Sequence, residues 1–392
     1  MKINTLRVQG YRSLSEVTWN PGSLNVLIGP NASGKSNLLR VFELISASAE
    51  GKLASRIQSE GGLSALLWDG QAPLLEVCLE MLQHEARRDS LYKYQFQLAI
   101  LGTAGGYQFR HELLTGDHYG QPPVVRTIVK RKFRHAEIFD DRRGTIIPVE
   151  EPFPEEETLL SVTAGPLGAN KLSYQLQREL ASWRIYQSLD TGFSSVIRQA
   201  AIARRETVVD RDGKNLIQVV HTLYSEHREF KHEINQAMTA AFGDEFEELV
   251  FAPAADQRIQ MRVRWRSLRR EQSAADLSDG TLRFLFLLAV LGNPDPPSLI
   301  AIDEPETGLH PSMLPIVAEY AVAASKKTQV IFTTHSPSFL DAFRDETPTT
   351  TVVEWKDGKT SLHLRTGDDL AYWLKEYSLG ELYRTGELET VE

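Results

Sequence analysis

The stretch that decides the fold is LNVLIGPNASGKSNLLRVF, residues 24–42. LNVLI is typical of a short buried strand, and SNLLRVF opens a helix with apolar residues at helical spacing. Between them, residues 29–36 carry the pattern Gly-x-x-x-x-Gly-Lys-Ser. Glycines let the backbone wrap an anion, and the N–H groups at the helix start bind it. The order strand, glycine turn, helix therefore predicts a phosphate-binding P-loop rather than an ordinary glycine turn.

The parts of this loop have expected roles toward ATP. We expect Lys35 to reach the β- and γ-phosphates, which makes it a candidate catalytic residue, and Ser36 to ligate Mg²⁺. The candidate nucleotide-binding residues of this segment are Gly29, Pro30, Asn31, Ala32, Ser33, Gly34, Lys35, Ser36 and Asn37.

Two later strands end in residues that suit hydrolysis. SLIAIDEPETGLHP, 298–311, predicts a buried strand with Asp303 and Glu304 at its C-terminal end, where open α/β sheets place ligands. We expect Asp303 to hold Mg²⁺ and Glu304 to orient or deprotonate the attacking water. TQVIFTTHSPSFL, 328–340, predicts another buried strand that ends at His335, a residue suited to sensing the γ-phosphate. A surface acidic turn and a satisfied polar histidine are the alternatives.

The segment ADLSDGTLRFLFLLAVL, 275–291, predicts a buried helix because its residues from 281 onward are apolar nearly all round. Helix starts favour Ser or Asp as the capping acceptor. We expect Asp279 to cap the helix or to point sideways. The Ser278 hydroxyl and the Gly280 backbone would then face a phosphate.

Composition limits the classes of protein. The chain has 392 residues, a net charge of −9 and one cysteine, which excludes an internal disulfide framework. It contains no apolar run long enough to span a bilayer and starts without the apolar core of a secretory signal. We therefore expect a cytoplasmic protein with no membrane partner.

The ordered motifs resemble those of ATP-binding-cassette (ABC) ATPases. They are the P-loop at 29–36, LSDG at 277–280, AIDEP at 301–305, GLHP at 308–311 and TTHSP at 333–337. LRVQGYRSL, 6–14, is similar to the opening of the non-transport branch, which contains RecF-like, structural-maintenance-of-chromosomes (SMC) and overcoming-lysogenization-defect ATPases. The resemblance implies that Arg12 lies near the nucleotide.

The resemblance also implies a fold and an assembly. The fold would be an α/β ABC-type head with a mixed or parallel central sheet, flanking helices, an antiparallel β layer and an inserted helical segment. The expected segments are 1–160 (first half of the head), 161–250 (helical insertion) and 251–392 (second half). Two heads would sandwich two ATP molecules, so that Ser278 and Gly280 of one copy touch the nucleotide on the other. The family's glutamine-bearing loop has four candidates, Gln58, Gln71, Gln83 and Gln97.

The remaining segments concern structure and partners. Residues 73–135 alternate as in antiparallel strands, 171–187 and 214–241 are expected to be helical, and no heptad repeat predicts a coiled-coil arm. The segment after His335 is short for a nuclease domain, so we expect a separately encoded effector. RTIVKRKFRH, 126–135, and RIQMRVRWRSLRR, 258–270, are basic. In the second, Arg262, Arg264 and Arg266 would form either a DNA-contacting face or an ordinary solvated one.

The favoured function is an ATP-gated sensor or scaffold that controls an effector in antiphage defence or DNA repair. The ATPase subunit of a membrane transporter is the alternative, although the long separation of Lys35 from Ser278 and the GLHP loop argue against it. An inactive structural head is the third hypothesis.

Overall fold

The computed structural model describes residues 1–70, 72–83, 90–102, 106–118, 124–149, 152–164, 168–343, 346–365 and 378–386. The chain divides into two compact units. Unit 1 comprises residues 1–22, 27–183 and 350–364, and unit 2 comprises 23–26, 184–349 and the described residues from 365 onward. Both units join distant parts of the chain, so their borders differ from the segments 1–160, 161–250 and 251–392, which remain a prediction.

Unit 1 contains an eight-stranded antiparallel sheet with the order β2-β1-β4-β5-β6-β7-β8-β9. Its strands are β1 (Lys2–Tyr11), β2 (Leu14–Trp19), β4 (Leu75–Gln83), β5 (Ser90–Leu101), β6 (Gly106–His118), β7 (Val124–Lys132), β8 (His135–Asp140) and β9 (Thr145–Pro148). In β5, Tyr92, Tyr94 and Phe96 are buried, while Lys93 and Gln95 between them are half-buried. This period of two confirms the antiparallel layer expected for residues 73–135.

Five helices and a hairpin complete unit 1. The helices are α1 (Lys35–Ala49), α2 (Leu53–Ser59), α3 (Leu63–Leu66), α4 (Leu159–Thr163) and α5 (Lys171–Ser182), and the hairpin strands are β17 (Thr349–Lys356) and β18 (Lys359–Arg365). α1 packs an aromatic core, with the ring of Phe42 centred 6.1 Å from Trp19 and 5.8 Å from Trp183. Strand β3 (Leu24–Ile28) is buried throughout, as its apolar sequence predicts, and it contributes residues to both units.

The described residues of unit 2 form a parallel sheet, a second small sheet and six α-helices. β10 (Arg184–Tyr186), β15 (Leu299–Asp303) and β16 (Gln329–Thr334) are parallel neighbours in that order. The small antiparallel sheet is formed by β11 (Ala201–Ile202), β12 (Phe246–Ala254), β13 (Arg258–Trp265) and β14 (Gln272–Ser273). The helices are α6 (Leu216–Glu226), α7 (Arg228–Phe242), α8 (Asp279–Leu291), α9 (Leu314–Ser325), α10 (Pro337–Leu340) and α11 (Leu379–Thr385).

The expected helical segments are confirmed in large part. α6 and α7 fill the segment 214–241 with a break at His227. The longest helices among the described residues have 15 residues, so this part of the chain has no coiled-coil arm. None of its helices combines the length and the apolar character that crossing a membrane requires.

The predicted helix over 171–187 is wrong at its end. α5 stops at Ser182, and Ile185 and Tyr186 instead lie in β10, paired in parallel with Ala301 and Ile302 of β15. Pairing with a strand more than a hundred residues away overrides the local helical pattern.

Arg131, in the first basic run, is buried. Its side chain is 1% exposed and donates to the carbonyl oxygens of Phe133, Glu157 and Glu155 at 2.9, 2.8 and 2.7 Å. The guanidinium also lies over the ring of Phe109, 4.4 Å from its centroid. Although Arg131 belongs to a basic run, it is therefore a buried structural residue of unit 1.

We predict that Arg131→Met lowers the free energy of unfolding by roughly 3 kcal/mol, because three carbonyl oxygens lose the donors that the buried guanidinium supplies. The control is Arg134→Met, since Arg134 is 81% exposed and pairs only with Glu155 among the described residues. Denaturant unfolding of both variants measures the difference. Equal stabilities would contradict a structural role for Arg131.

Candidate functional site

The P-loop joins β3 to α1, and its backbone accepts only glycine at two positions. Gly29 and Gly34 have φ angles of 149° and 109°. A Cβ on Gly29 would lie 2.2 Å from the carbonyl oxygen of Val353, and one on Gly34 would lie 2.2 Å from Oγ1 of Thr360. Because both distances are far below van der Waals contact, each glycine is sterically required.

The loop carries groups that fit a phosphate chain. No side chain caps the N-terminus of α1, where the helix dipole favours an anion. Lys35 is 6% exposed, and its Nζ donates to the carbonyl oxygens of Gly29 and Pro30 at 2.6 and 2.9 Å. The hydroxyl of Ser33 is buried without a hydrogen-bond partner. The ammonium group of Lys35, the hydroxyl of Ser33 and the backbone N–H groups of the glycine-rich loop are donors suited to phosphate oxygens.

Hydroxyl groups hold the P-loop against the rest of unit 1. Oγ1 of Thr360 lies 2.8 Å from the carbonyl oxygen of Ser33 and 2.7 Å from Oγ of Ser13. Nδ2 of Asn37, at the start of α1, donates to the same Ser13 oxygen at 2.8 Å. The loop is therefore fixed by β18 and by the turn between β1 and β2.

Arg12 lies in that turn with a φ of 47°. Its Nη2 pairs with Oε2 of Glu60 at 2.5 Å, and Glu60 also pairs with Arg56. The next residue, Ser13, accepts the hydrogen bond from Asn37 of α1, so the Arg12 backbone lies close to the start of that helix. Its proposed contact with the nucleotide remains a prediction.

In unit 2, the parallel strands β15 and β16 bring the predicted hydrolytic residues together. Oγ1 of Thr333 donates to Oδ1 of Asp303, and the backbone N–H of Glu304 donates to the carbonyl oxygen of Thr333 at 3.0 Å. Glu304 adopts a φ of 46°, and its Oε1 lies 3.0 Å from Nδ1 of His335. The Glu304 and His335 side chains are 37% and 48% exposed, so water and ligand can reach both.

A third acid, which the sequence reasoning missed, supports this pair. Oγ1 of Thr334 donates to Oε1 of Glu306 and accepts the backbone N–H of Ser336. Oε2 of Glu306 is buried without a hydrogen-bond partner. Glu306 therefore holds the turn on which His335 lies. The sequence signal that could have pointed to Glu306 is the second glutamate of DEPE, residues 303–306.

The start of α8 differs from the expectation in one respect. Ser278, and not Asp279, is the N-cap, and its hydroxyl accepts the backbone N–H of Thr281 at 3.1 Å. Asp279 points sideways and pairs with Nη2 of Arg198 at 2.5 Å. Gly280 is also constrained, since a Cβ there would lie 2.7 Å from the carbonyl oxygen of Gly308. Of the two placements expected for Asp279, capping is therefore wrong and the sideways orientation is confirmed, because the nearly buried Arg198 binds the carboxylate.

Gln187 is a candidate that the sequence did not single out. It directly follows β10, the parallel neighbour of β15, and shares the lining of a cavity of about 30 Å³ with Asp303 and Glu304. Its Nε2 is buried without a hydrogen-bond partner. Finding it required the strand pairing, because the local pattern predicted a helix there.

Three of the four glutamines proposed from the sequence are described, and they lie in unit 1. Gln58 lies in α2, Gln83 ends β4, and Gln97 in β5 donates to Glu76 at 2.8 Å. Gln71 lies outside the described residues.

The basic face of β13 is matched by acids. Ile259, Met261 and Val263 are buried, as the alternation predicts. On the other face, Arg264 pairs with both Glu248 and Glu271, and Arg262 lies 3.7 Å from Glu271. Arg266 is exposed after the end of the strand. The expected cationic face is thus partly neutralised within unit 2.

Comparison with known families identifies ATPase domains in both parts of the chain. The family model described as "AAA domain, putative AbiEii toxin, Type IV TA system" matches residues 173–341, and the model described as "AAA ATPase domain" matches residues 1–84. These matches support ATPase activity, and nucleotide binding with a divalent metal, in general terms. Among curated proteins, no sequence matches this chain.

Solved structures show the same fold at low sequence identity. An SMC head bound to the C-winged helix domain of ScpA is 14% identical, with 95% of this chain and 100% of that chain covered and a TM-score of 0.57. An Smc head with an extended coiled coil, bound to the C-terminal domain of ScpA and derived from Pyrococcus furiosus, is 13% identical, with 96% and 99% covered and a TM-score of 0.51. The predicted ABC-type head fold and the resemblance to the RecF/SMC-like branch are confirmed.

We predict a pH-dependent effect of Glu306→Gln. Burial raises the pKa of Glu306 above its usual value, although the hydrogen bond from Thr334 lowers it in part. The folded protein therefore holds this proton more tightly than the unfolded chain, and the stability it contributes is lost as the pH rises through the folded-state pKa. Glutamine cannot ionise and can still accept from Thr334, so the variant should gain stability relative to the parent above about pH 5.

Thermal unfolding midpoints between pH 5 and 8 test this prediction. Glu247→Gln, at an exposed position of β12, is the control. A difference between Glu306→Gln and the parent that stays constant over this range would contradict the assignment.

Proposed function

We propose that this ABC-type ATPase of the RecF/SMC-like branch binds and hydrolyses ATP, pairs with a second copy when ATP is bound, and thereby controls a separately encoded effector. The observation that carries the proposal is the contact between Glu304 and His335 at the ends of two adjacent parallel strands. A carboxylate and an imidazole at this position suit the orientation of an attacking water.

The residues divide the work of hydrolysis as follows. The backbone of the P-loop and Lys35 bind the phosphates. The hydroxyl of Ser36 and the carboxylate of Asp303 would be the ligands of Mg²⁺, since this ion prefers oxygen donors. When bound, Mg²⁺ supplies neutralisation of the phosphate charge.

Further residues position the attacking water and the nucleotide. Glu304 accepts a proton from the water, and His335 holds the γ-phosphate and orients Glu304. Gln187, which lines a cavity together with Asp303 and Glu304, would complete the polar lining around the metal. Arg12 contributes a further cationic contact to the nucleotide.

Pairing of two copies would complete each site. The Ser278 hydroxyl and the Gly280 backbone of one copy contact the γ-phosphate held by the P-loop of the other. Each copy contributes the same surface to the other, as in two-fold symmetric dimers. ATP then holds the copies together, and hydrolysis releases them.

The effector and the pathway are proposed on the family model, whose description names a putative toxin of a toxin–antitoxin system. On this basis we favour an ATP-gated sensor in antiphage defence, while DNA repair rests on the resemblance to the RecF/SMC-like branch and not on this description. The proposal includes contact with DNA through Arg262, Arg264 and Arg266. DNA phosphates would have to displace Glu248 and Glu271 from Arg262 and Arg264, so this contact would contribute less than three unpaired arginines would.

We predict that Glu304→Gln retains ATP binding, lowers kcat by roughly a hundredfold or more, and accumulates an ATP-bound dimer, because the base is lost while the binding groups remain. Lys35→Ala should instead weaken ATP binding itself. Steady-state hydrolysis, nucleotide binding and light-scattering mass measure the three properties. Hydrolysis by Glu304→Gln at the parental rate would refute the assigned base.

We predict that Ser278→Arg binds ATP as the monomer does but neither dimerises nor hydrolyses ATP, because the added side chain blocks the face that meets the second copy. Thr239→Arg, at an exposed position of α7, is the matched control and should behave as the parent. Parental hydrolysis by Ser278→Arg would exclude the shared site.

A further inference from the structure

A short loop of unit 2, residues 190–195, is fixed by its own hydrogen bonds. Oδ1 of Asp190 accepts the backbone N–H of Gly192 at 2.9 Å, and its carbonyl oxygen accepts the Ser195 hydroxyl at 2.7 Å. The backbone N–H of Ser195 also donates to the carbonyl oxygen of Gly192 at 2.9 Å. These bonds define a closed turn that holds its shape within one copy of the chain. We refer to it as the 190–195 loop.

Arg198 ties the 190–195 loop to the start of α8. Its side chain is 8% exposed, and Nε donates to the carbonyl oxygen of Thr191 at 2.8 Å. The other nitrogens reach the carbonyl oxygens of Ala275 and Leu277 at 3.1 and 2.6 Å and the carboxylate of Asp279 at 2.5 Å. A single guanidinium fork thus fixes the loop beside the turn that carries Ser278.

The tip of the loop is apolar and exposed. Phe193 is 95% exposed, the largest value for a large apolar side chain among the described residues, and nearby Val196 is 46% exposed. The bonds described above hold the loop in a conformation in which the Phe193 side chain is exposed to solvent. Aromatic side chains presented on rigid elements are the residues that contribute most to protein–protein contacts.

We infer that Phe193 packs against a second copy of this chain beside the shared ATP site. The inference rests on the pairing proposed above, because Arg198 bonds both to Thr191 of the loop and to Leu277 and Asp279, the residues on either side of Ser278. In a two-fold pair, each copy presents one Phe193 to the other, so the contact occurs twice. The loop therefore joins the interface alongside the ATP contacts and adds apolar contact area to it.

The second copy, and not the effector, is the occupant that the structure favours. The bonds of Arg198 run to the carbonyl oxygens immediately before Ser278 and to the acid immediately after it. A contact at Phe193 would therefore lie beside the Ser278 turn, which the proposed pairing brings to the second copy. An effector bound at Phe193 would leave ATP-dependent pairing unchanged when Phe193 is replaced, which the experiment detects.

The test uses the Glu304→Gln background with saturating ATP and Mg²⁺, and measures the dimer dissociation constant by light scattering over a range of protein concentrations. Loss of one aromatic contact weakens an interface by about tenfold. Because the contact occurs twice, Phe193→Ser should weaken the dimer by roughly a hundredfold, and Phe193→Leu by less. ATP binding by each copy should stay unchanged. Leu268→Ser, which removes another exposed apolar side chain of unit 2, is the control and should dimerise normally.

The outcomes separate this inference from the proposed function. If the Glu304→Gln parent fails to gain mass with ATP, the pairing itself is refuted and the inference falls with it. If the parent dimerises and Phe193→Ser dimerises equally well, the inference alone is overturned. Weakening by Phe193→Ser but not by Leu268→Ser supports both.

Discussion

The close approach of the P-loop backbone to the hairpin β17–β18 is the constraint on which unit 1 depends. Gly29 lies against the backbone of residue 353, and Gly34 lies against the side chain of Thr360. Any Cβ at either place would collide, so the loop keeps its conformation only with glycine. These contacts also make the last strands of the head part of the phosphate cradle. Residues 29–34 and 353–360, which are far apart in the sequence, must therefore come together before the loop can adopt this conformation.

Features set by local pattern could be read from the sequence. The runs of apolar residues in β3, β15 and β16 are buried as expected, and the P-loop follows its strand directly. The sequence alone predicted that Asp303, Glu304 and His335 lie close together, because parallel strands end at the same edge of a sheet. Each of these inferences needed only a short window and one rule of sheet geometry.

Features set by distant partners could not be read in this way. β10 is a strand because β15 pairs with it, and without that pairing Gln187 has no visible relation to Asp303. Arg131 lies in a run of basic residues, yet carbonyl groups of a later loop enclose it. The arginines of β13 face glutamates from β12 and from the segment before β14. A charge pattern alone states which residues are polar, whereas the fold decides which charges are already paired.

Asp279, the acid in LSDG, is likewise explained by a partner that is distant in the sequence, Arg198. Asp279 lies in the first turn of α8, where the helix dipole stabilises a carboxylate, and it also neutralises the nearly buried Arg198. A glycine there would leave this cation without its carboxylate. Ser278 meanwhile caps the helix by accepting the Thr281 N–H, and its hydroxyl also lies 2.8 Å from Oγ1 of Thr281, where either oxygen can donate. When the Thr281 hydroxyl donates, the Ser278 hydroxyl keeps its own proton for another acceptor. The cap and a contact with phosphate are thus compatible in one side chain, and the carboxylate beside it serves the loop that carries Phe193.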